Sequence, residues 1–356
     1  MASIPETLLN LVKNYSPSGS ERPAVEYLVN RMTALGYMRA FIDEAGNAVG
    51  VMGTGPRQVI LLGHIDTVPG EIPVRVGRDT ISSYNVLYGR GSVDAKGPLA
   101  CFTDAVAQAG ARAGWQFVVI GAVEEERNSE GARHIAPLYH PDFAIIGEPN
   151  RWDRVSLGYK GIAWAEITVR REQVHTAAEQ ENACEAAVNV WLRVKAWAEE
   201  FNLGRERNFN RLMLTMRDLS SGSDDYTEWA HFSLGVRLPL DLDPAAWYAH
   251  LSGLAAEAQV EPTGFAIPAW QCEKNSPLVR AFLSAIRSAG GTPSFVYKTG
   301  TADLNIVAPV WKCPALVYGP GDSALDHTPE EHLPLEEYGR AVEVLQAVLK
   351  RLCQGV

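Results

Sequence analysis

The sequence predicts an α/β fold, with a mostly parallel sheet covered by helices in one domain and a second, α+β domain inserted into it. Three short apolar runs, at residues 58–62, 116–123 and 143–147, are typical of strands that are buried on both faces of a sheet. Segments with apolar residues at helical spacing, residues 97–112 and 129–138, separate these runs. Strands that alternate with helices in this way are characteristic of a parallel sheet with helices on both faces.

The middle of the chain has a different pattern. Residues 161–170 alternate apolar and polar side chains, as a strand with one solvent-facing side does, and residues 182–201 carry an apolar stripe at helical spacing. At 356 residues the chain also exceeds the usual size of a single hydrophobic core. We therefore predict a main domain of residues 1–158 and 268–356 that is interrupted by a domain of residues 159–267.

The composition excludes several classes of protein. The net charge is −10 and no basic cluster interrupts it, which argues against binding to nucleic acid. The five scattered cysteines fit neither a disulfide framework nor a thiolate metal site, and are expected to be free thiols in a reducing compartment. The start of the chain lacks a signal-peptide pattern, and no apolar run is long enough to span a membrane. These features predict a soluble, cytoplasmic protein.

A first candidate site follows the first apolar run, where His64 and Asp66 are two residues apart. A histidine at a strand end can bind a metal ion, and a nearby carboxylate can fix its tautomer. A loop histidine beside an unrelated capping aspartate would give the same pattern.

A second candidate is Asp94, which lies in a segment with three glycines within nine residues, near the start of a predicted helix. The glycines indicate tight turns of the backbone. An aspartate at this position is commonly an N-cap, but its two oxygens could also bridge two metal ions.

Acidic side chains follow both of the other predicted strands. Glu124, Glu125 and Glu126 come directly after the second, and such a concentration of like charge is unfavourable unless a cation or shared protons compensate for it. A solvated acidic loop is the alternative. Glu148 follows the third strand, and His327 lies in a Gly/Pro-rich loop near the end of the chain.

Together these segments supply two imidazoles and several carboxylates at one predicted sheet edge, where α/β proteins usually build their sites. Histidine, aspartate and glutamate without cysteine form a ligand set that suits a pair of zinc, cobalt or manganese ions. Such a pair can activate water and polarise a carbonyl group.

The order of these motifs resembles the dinuclear-zinc exopeptidase and deacylase family, which includes acetylornithine deacetylase, succinyl-diaminopimelate desuccinylase, aminoacylases and glutamate carboxypeptidases. The resemblance covers essentially the whole chain and implies a hydrolase of amide bonds with two divalent metal ions, zinc being expected and cobalt or manganese possible. It implies that Asp94 bridges the two ions, that His64 and Glu148 complete one site, and that Glu126 and His327 complete the other.

The same resemblance implies that Glu125 is the general base and that Asp66 supports His64 from behind. The register follows the family pattern Glu-Glu-x-x-Ser-x-Gly, which Ser129 and Gly131 complete. A slip by one residue would make Glu124 the base and Glu125 the ligand.

Three residues outside this set match substrate-binding positions of the family. His175 corresponds to a histidine that contacts the substrate carbonyl, although the surrounding residues 171–177 depart from the usual Gly-Arg-x-x-His-Ser-Gly pattern. Arg237 corresponds to an arginine that binds a substrate carboxylate, although Gly235 replaces the usual neighbouring aspartate. Thr301 lies in the matching substrate loop. A surface histidine and a solvated arginine are the alternatives for the first two.

One branch of the family fits best, on residues 298–305, 318–323 and 325–329. The branch releases lysine or ornithine from the C-terminal glutamate of an amino-group carrier protein, LysW, in lysine or arginine biosynthesis. The resemblance therefore implies this conjugated carrier as the partner, and a homodimer formed through the inserted lid domain. The alternatives are a deacylase of small N-acyl amino acids, such as N-acetylornithine, N-acetyllysine or N-succinyl-diaminopimelate, and a catalytically inactive relative.

Overall fold

The computed structural model of the chain describes residues 4–78, 85–173, 175, 177 and 179–355. Strands and helices are numbered in chain order. The strands are β1 (Arg39–Ile42), β2 (Ala48–Met52), β3 (Arg57–His64), β4 (Arg75–Arg78), β5 (Asn85–Tyr88), β6 (Trp115–Ala122), β7 (Phe143–Gly147), β8 (Arg154–Tyr159), β9 (Gly161–Glu172), β10 (Met213–Asp224), β11 (Thr227–Leu238), β12 (Gln259–Ile267), β13 (Trp270–Gln271), β14 (Ser294–Lys298), β15 (Ala315–Val317) and β16 (His332–Pro334). The helices are α1 (Glu6–Lys13), α2 (Arg22–Ala34), α3 (Lys96–Ala109), α4 (Glu130–Ile135), α5 (Ala183–Phe201), α6 (Pro244–Leu254), α7 (Pro277–Ser288), α8 (Asp303–Trp311) and α9 (Leu335–Gln354).

Two compact units make up the described chain. The first comprises the described residues up to Gly158, together with Cys272–Tyr297 and those from Ala302 onward. The second comprises Tyr159–Gln271 and Lys298–Thr301. No helix in the described part of the chain is long and apolar enough to cross a membrane.

The first unit is built on a sheet with the strand order β1-β2-β6-β3-β7-β15-β8. The four strands in the middle, β6, β3, β7 and β15, run parallel to one another, whereas the pairs β1–β2, β2–β6 and β15–β8 are antiparallel. The prediction of a mostly parallel, helix-covered sheet is therefore confirmed. The second half of β3 is completely buried, as its continuous apolar run predicts.

A row of glycines lets helix α3 lie close to the middle of this sheet. Gly63 of β3 is in register with Gly121 of β6 and Gly147 of β7. A Cβ atom at Gly121 would lie 3.1 Å from the Leu99 side chain, and one at Gly147 would lie 2.9 Å from the Phe102 ring. The helix thus packs against backbone where side chains would otherwise hold it away.

The second unit is a four-stranded antiparallel sheet in the order β10-β11-β9-β12. Strand β9 alternates buried and partly exposed residues, as the sequence predicts, and its buried face packs with α5 and α6. Helix α5 begins with a capping box, in which Asn182 and Glu185 accept hydrogen bonds from each other's backbone N–H groups.

The unit boundaries differ in part from those expected. The first boundary lies between residues 158 and 159 in the prediction and in the structure. The second boundary was expected between residues 267 and 268 and lies between residues 271 and 272. Residues 267–269 stay with the second unit because their backbone lies against Gly161 at the start of β9, where a Cβ atom would be 2.4 Å from the Ile267 oxygen. Residues 298–301 also belong to the second unit, through hydrogen bonds of Thr301.

Leu61→Ala should test the packing of the central strand. Leu61 has no exposed surface, so its truncation should lower the free energy of unfolding by about 2–5 kcal/mol through lost burial and a residual cavity. Urea denaturation would measure this loss. The matched control is Leu138→Ala, at a leucine of the same unit that is 60% exposed, for which a change within about 0.5 kcal/mol is expected. Equal effects of the two substitutions would contradict the burial argument.

Candidate active site

Three strands of the first unit end at the same edge of its sheet, and each delivers polar side chains there. His64 is the last residue of β3 and is in register with Ala122 at the end of β6. The glutamates 124–126 follow β6, and Glu148 follows β7 directly. Because parallel strands bring their carboxyl ends together, these side chains meet at one edge.

Asp94 lies between the two histidines. It stands just before α3, and its peptide bond to Ala95 is cis. Its Oδ1 is 3.2 Å from His64 Nε2, and its Oδ2 is 3.1 Å from His327 Nε2. His327 Nε2 is also 3.0 Å from Glu126 Oε1. A single carboxylate therefore contacts both imidazoles, one oxygen to each.

Two overlapping groups of side chains have the arrangement of metal ligands. One group is His64, Asp94 and Glu148, and the other is Asp94, Glu126 and His327. Within each group the candidate ligand atoms all lie within 4.8 Å of one another. The donors are imidazole nitrogens and carboxylate oxygens, and Asp94 belongs to both groups. This donor set fits two neighbouring divalent cations that share one carboxylate.

The electrostatics of the cluster favour a bound cation. Burial raises the pKa of Glu125 and of Glu148 well above the usual range, and neighbouring carboxylates add to both shifts. Burial opposes the charged form of His64, but hydrogen bonds with Asp66 and Asp94 outweigh it and hold the pKa of the imidazole well above its usual value. Without cations, protons must offset the gathered negative charge, and divalent metal ions could replace them.

Asp66 is completely buried, and it contacts both His64 and the backbone of the acidic loop after β6. His64 Nδ1 is 3.0 Å from the backbone oxygen of Asp66 and 3.4 Å from its carboxylate, so the backbone oxygen is the nearer partner. The carboxylate accepts hydrogen bonds of 3.1 Å from the backbone N–H groups of Glu125 and Glu126. Asp66 therefore ties the end of β3 to the acidic loop after β6, a link that the sequence did not reveal.

The three consecutive glutamates face different surroundings. Glu126 lies against His327 and Asp94. The charges that act most strongly on Glu125 are those of His64 and Glu148. The Glu124 carboxylate is 3.8 Å from Arg127, on its own loop. Of the three, Glu126 is the one that groups with Asp94 and His327 among the described residues, and the register itself stays a prediction.

Asp303 is a buried acid beside the cluster to which the sequence analysis gave no role. It is the first residue of α8, is 2% exposed, and hydrogen bonds with the Ser129 side chain. Burial raises the pKa of its carboxyl to about 7. An aspartate that opens a helix is usually interpreted as a helix-stabilising residue, so its position in sequence gave no sign of this environment.

Arg237 and Thr301 come together in the second unit. The Arg237 guanidinium donates a hydrogen bond of 2.9 Å to the Thr301 hydroxyl, which donates one of 2.9 Å to the backbone oxygen of Lys160. Gly235, two residues before Arg237, is paired across the sheet with Trp164. A Cβ atom there would be 2.6 Å from the Trp164 ring, so the indole occupies the space that an aspartate would need.

His175 belongs to the second unit and is exposed. Its Nδ1 accepts a hydrogen bond of 3.1 Å from the backbone N–H of Ala177. Positions 174 and 176 of the segment 171–177, which departs from the family pattern, lie outside the described residues. The role of His175 in contacting the substrate carbonyl stays a prediction.

Comparisons with known proteins indicate the family and the fold of the chain. Residues 60–351 match the sequence pattern described as peptidase family M20/M25/M40. The chain is 45% identical to the [LysW]-lysine hydrolase of Deinococcus radiodurans, over 98% of this chain and 97% of that protein. It is 39% identical to a Thermococcus kodakarensis protein with the provisional name [LysW]-lysine/[LysW]-ornithine hydrolase, over 98% and 91% of the two chains. Among solved structures, the M20 family metallo-carboxypeptidase Sso-CP2 of Sulfolobus solfataricus has the same fold, with a TM-score of 0.75 at 17% identity over 98% of both chains.

Proposed function

This chain belongs to peptidase family M20/M25/M40, and we propose that it hydrolyses the amide bond through which an amino-group carrier protein holds lysine or ornithine. The observation that carries this proposal is the likeness to a [LysW]-lysine hydrolase, which extends over both units of the chain. The bond cleaved joins the C-terminal glutamate of the carrier to the α-amino group of the product. Membership of the family makes the chain a metal-dependent hydrolase.

We further propose that the two overlapping ligand groups bind two zinc ions, with cobalt or manganese as alternatives. His64 and Glu148 would hold one ion, Glu126 and His327 the other, and Asp94 both. Two adjacent divalent ions supply a strong electrostatic field that polarises a carbonyl group and lowers the pKa of water.

Residues of the chain itself would transfer the proton, position the metal ligands and bind the substrate. Glu125 would accept a proton from the water that attacks the carbonyl carbon, and would then deliver it to the amine of the departing lysine or ornithine. Asp66 would keep His64 and the Glu125 loop in fixed relation through the hydrogen bonds described above. His175 would donate to the carbonyl oxygen, and Arg237, with Thr301 beside it, would bind a carboxylate of the substrate.

The oligomeric state and the compartment stay predictions. A homodimer through the second unit and a cytoplasmic location both follow from the sequence analysis, and both are compatible with the proposed carrier substrate.

Glu125→Gln should abolish most turnover while leaving the metal content unchanged. General acid–base catalysis by a positioned carboxylate contributes about 10²–10⁴-fold, so kcat for lysine release should fall by that factor. The matched control is Glu124→Gln, because Glu124 is paired with Arg127 and lies outside both ligand groups. Normal hydrolysis by Glu125→Gln would refute the base assignment, and inactivity of Glu124→Gln alone would favour the slipped register.

Metal binding should release protons, and its apparent affinity should rise with pH. Hydrogen bonds with Asp94 and Glu126 raise the pKa of His327 to about 10, so the metal-free imidazole is protonated at neutral pH and must lose this proton to bind metal. The apparent affinity should therefore increase as the pH rises toward 10. Zinc titration calorimetry in two buffers of different ionisation enthalpy would count the protons. His327→Asn should release about one proton fewer, and proton-free binding by the wild type would contradict the prediction.

The substrate class can be decided by a direct comparison of two substrates. Purified carrier protein conjugated to lysine should be hydrolysed with a higher kcat/KM than N-acetyllysine, because only the carrier offers its own C-terminal residue for binding. Release of free lysine would be measured for both under the same metal loading. A higher kcat/KM for the acetyl compound would favour the small-molecule deacylase instead.

A further inference from the structure

We propose that Glu331 is the positioning residue that fixes the shared carboxylate Asp94 and thereby sets the affinity of both cation sites. This inference rests on the proposed metal site. Glu331 lies four residues after His327 in the chain and is completely buried. It belongs to neither ligand group among the described residues, so its role would be exerted through Asp94.

The Glu331 carboxylate is fully engaged by the loop that carries Asp94. Its Oε1 accepts hydrogen bonds from the backbone N–H groups of Val93 at 2.8 Å and of Asp94 at 3.0 Å. Its Oε2 accepts from the backbone N–H of Gly91 at 3.1 Å and from the Arg90 guanidinium at 2.8 Å. One side chain thus replaces the partners that this irregular segment, between β5 and α3, would otherwise lack.

The charge of Glu331 is balanced without a metal ion. An isolated buried carboxylate is strongly unfavourable, but one that is paired with a guanidinium and accepts several N–H groups can stay ionised. Arg90 is itself 6% exposed and also donates to the Gly70 oxygen at 2.9 Å, which fixes the direction of its guanidinium. All four contacts point to a structural anchor for the Asp94 loop, whereas a metal ligand would leave an oxygen facing the cluster.

Nothing else described at the start of α3 holds Asp94 in the same way. The N-cap position of α3 is Ala95, whose side chain cannot cap the helix. The Asp94 carboxylate contacts the two imidazoles, and the hydrogen bond from the Asp94 N–H to Glu331 restrains the backbone that carries it.

Glu331 also restrains the loop of His327. The next residue, His332, begins β16 and is paired with Tyr88 of β5. The backbone oxygen of Glu331 accepts a hydrogen bond of 3.3 Å from Gly89. The side chain and the main chain of one residue thus join the His327 loop to the Asp94 loop, which restrains the distance between the His327 imidazole and the Asp94 carboxylate.

Glu331→Gln is the decisive substitution because it keeps the shape of the side chain but replaces one of its two acceptor oxygens with an NH2 group, which can only donate. All four partners are donors, so the amide nitrogen must face donors whichever way the group turns. We expect the affinity for both metal ions to fall by about 10–100-fold, the usual effect of removing a residue that supports a metal ligand. Chelator competition with cobalt would measure the affinity, and the visible spectrum of the cobalt protein would report altered ligand geometry.

The matched control is Glu330→Gln, at the neighbouring glutamate, which is exposed. It changes the net charge equally and should leave cobalt affinity and spectrum as in the wild type. Glu331→Asp keeps the charge on a shorter side chain and should give an affinity between those of wild type and Glu331→Gln. Circular dichroism of the metal-free proteins would verify folding, and if Glu331→Gln fails to fold, Glu331→Asp carries the test.

The outcomes separate this inference from the proposed function. If the wild type binds two ions and folded Glu331→Gln binds them equally tightly with the same spectrum, the role of Glu331 is refuted while the proposed function stands. Wild-type affinity of Glu331→Asp, when Glu331→Gln is unfolded, refutes it as well. If the wild type binds no divalent metal, the proposed metal-dependent function fails, and the role of Glu331 fails with it.

Discussion

The close contact between helix α3 and a row of three glycines determines where Asp94 can lie. Gly63, Gly121 and Gly147 are in register across β3, β6 and β7, and α3 packs directly against them. Because α3 begins just after Asp94, a helix held farther from the sheet would carry this carboxylate away from the strand ends. The 3.2 Å contact with His64 therefore depends on the absence of side chains on those strands. Fold and site share this one steric requirement.

The carboxylates near the start of α3 and the strand ends are of two kinds, which differ in the partners of their oxygens. Asp66 and Glu331 are completely buried, and their oxygens are engaged by hydroxyl, guanidinium or backbone N–H groups of the protein. Asp94, Glu126 and Glu148 instead turn their oxygens toward one another and toward two imidazoles. The first kind builds rigid loops, and the second leaves negative charge that protons or cations must offset. Preorganisation of this type limits how far ligands can relax when charge is added or removed.

The sequence was informative where local pattern determines structure. Continuous apolar runs predicted the parallel strands, and polar residues at the strand ends predicted which side chains would gather. Residues whose partners are distant in sequence could not be predicted in this way. Glu331 binds a loop some 240 residues earlier, as the Gly91 contact shows, and Asp303 joins Ser129 through the fold alone. The grouping of residues 298–301 with the second unit likewise depends on the hydroxyl of Thr301, which no periodicity reveals.

The assignment of residues 298–301 to the second unit affects how parts of this chain can be exchanged with those of a relative. The polypeptide passes between its two units four times, since residues 298–301 are assigned to the second unit within an otherwise continuous stretch of the first. A chimera that exchanged only residues 159–271 with a relative would leave Arg237 from one parent and Thr301 from the other. Compatible exchange requires both segments to be transplanted together, and sequence variation in the two is expected to be correlated.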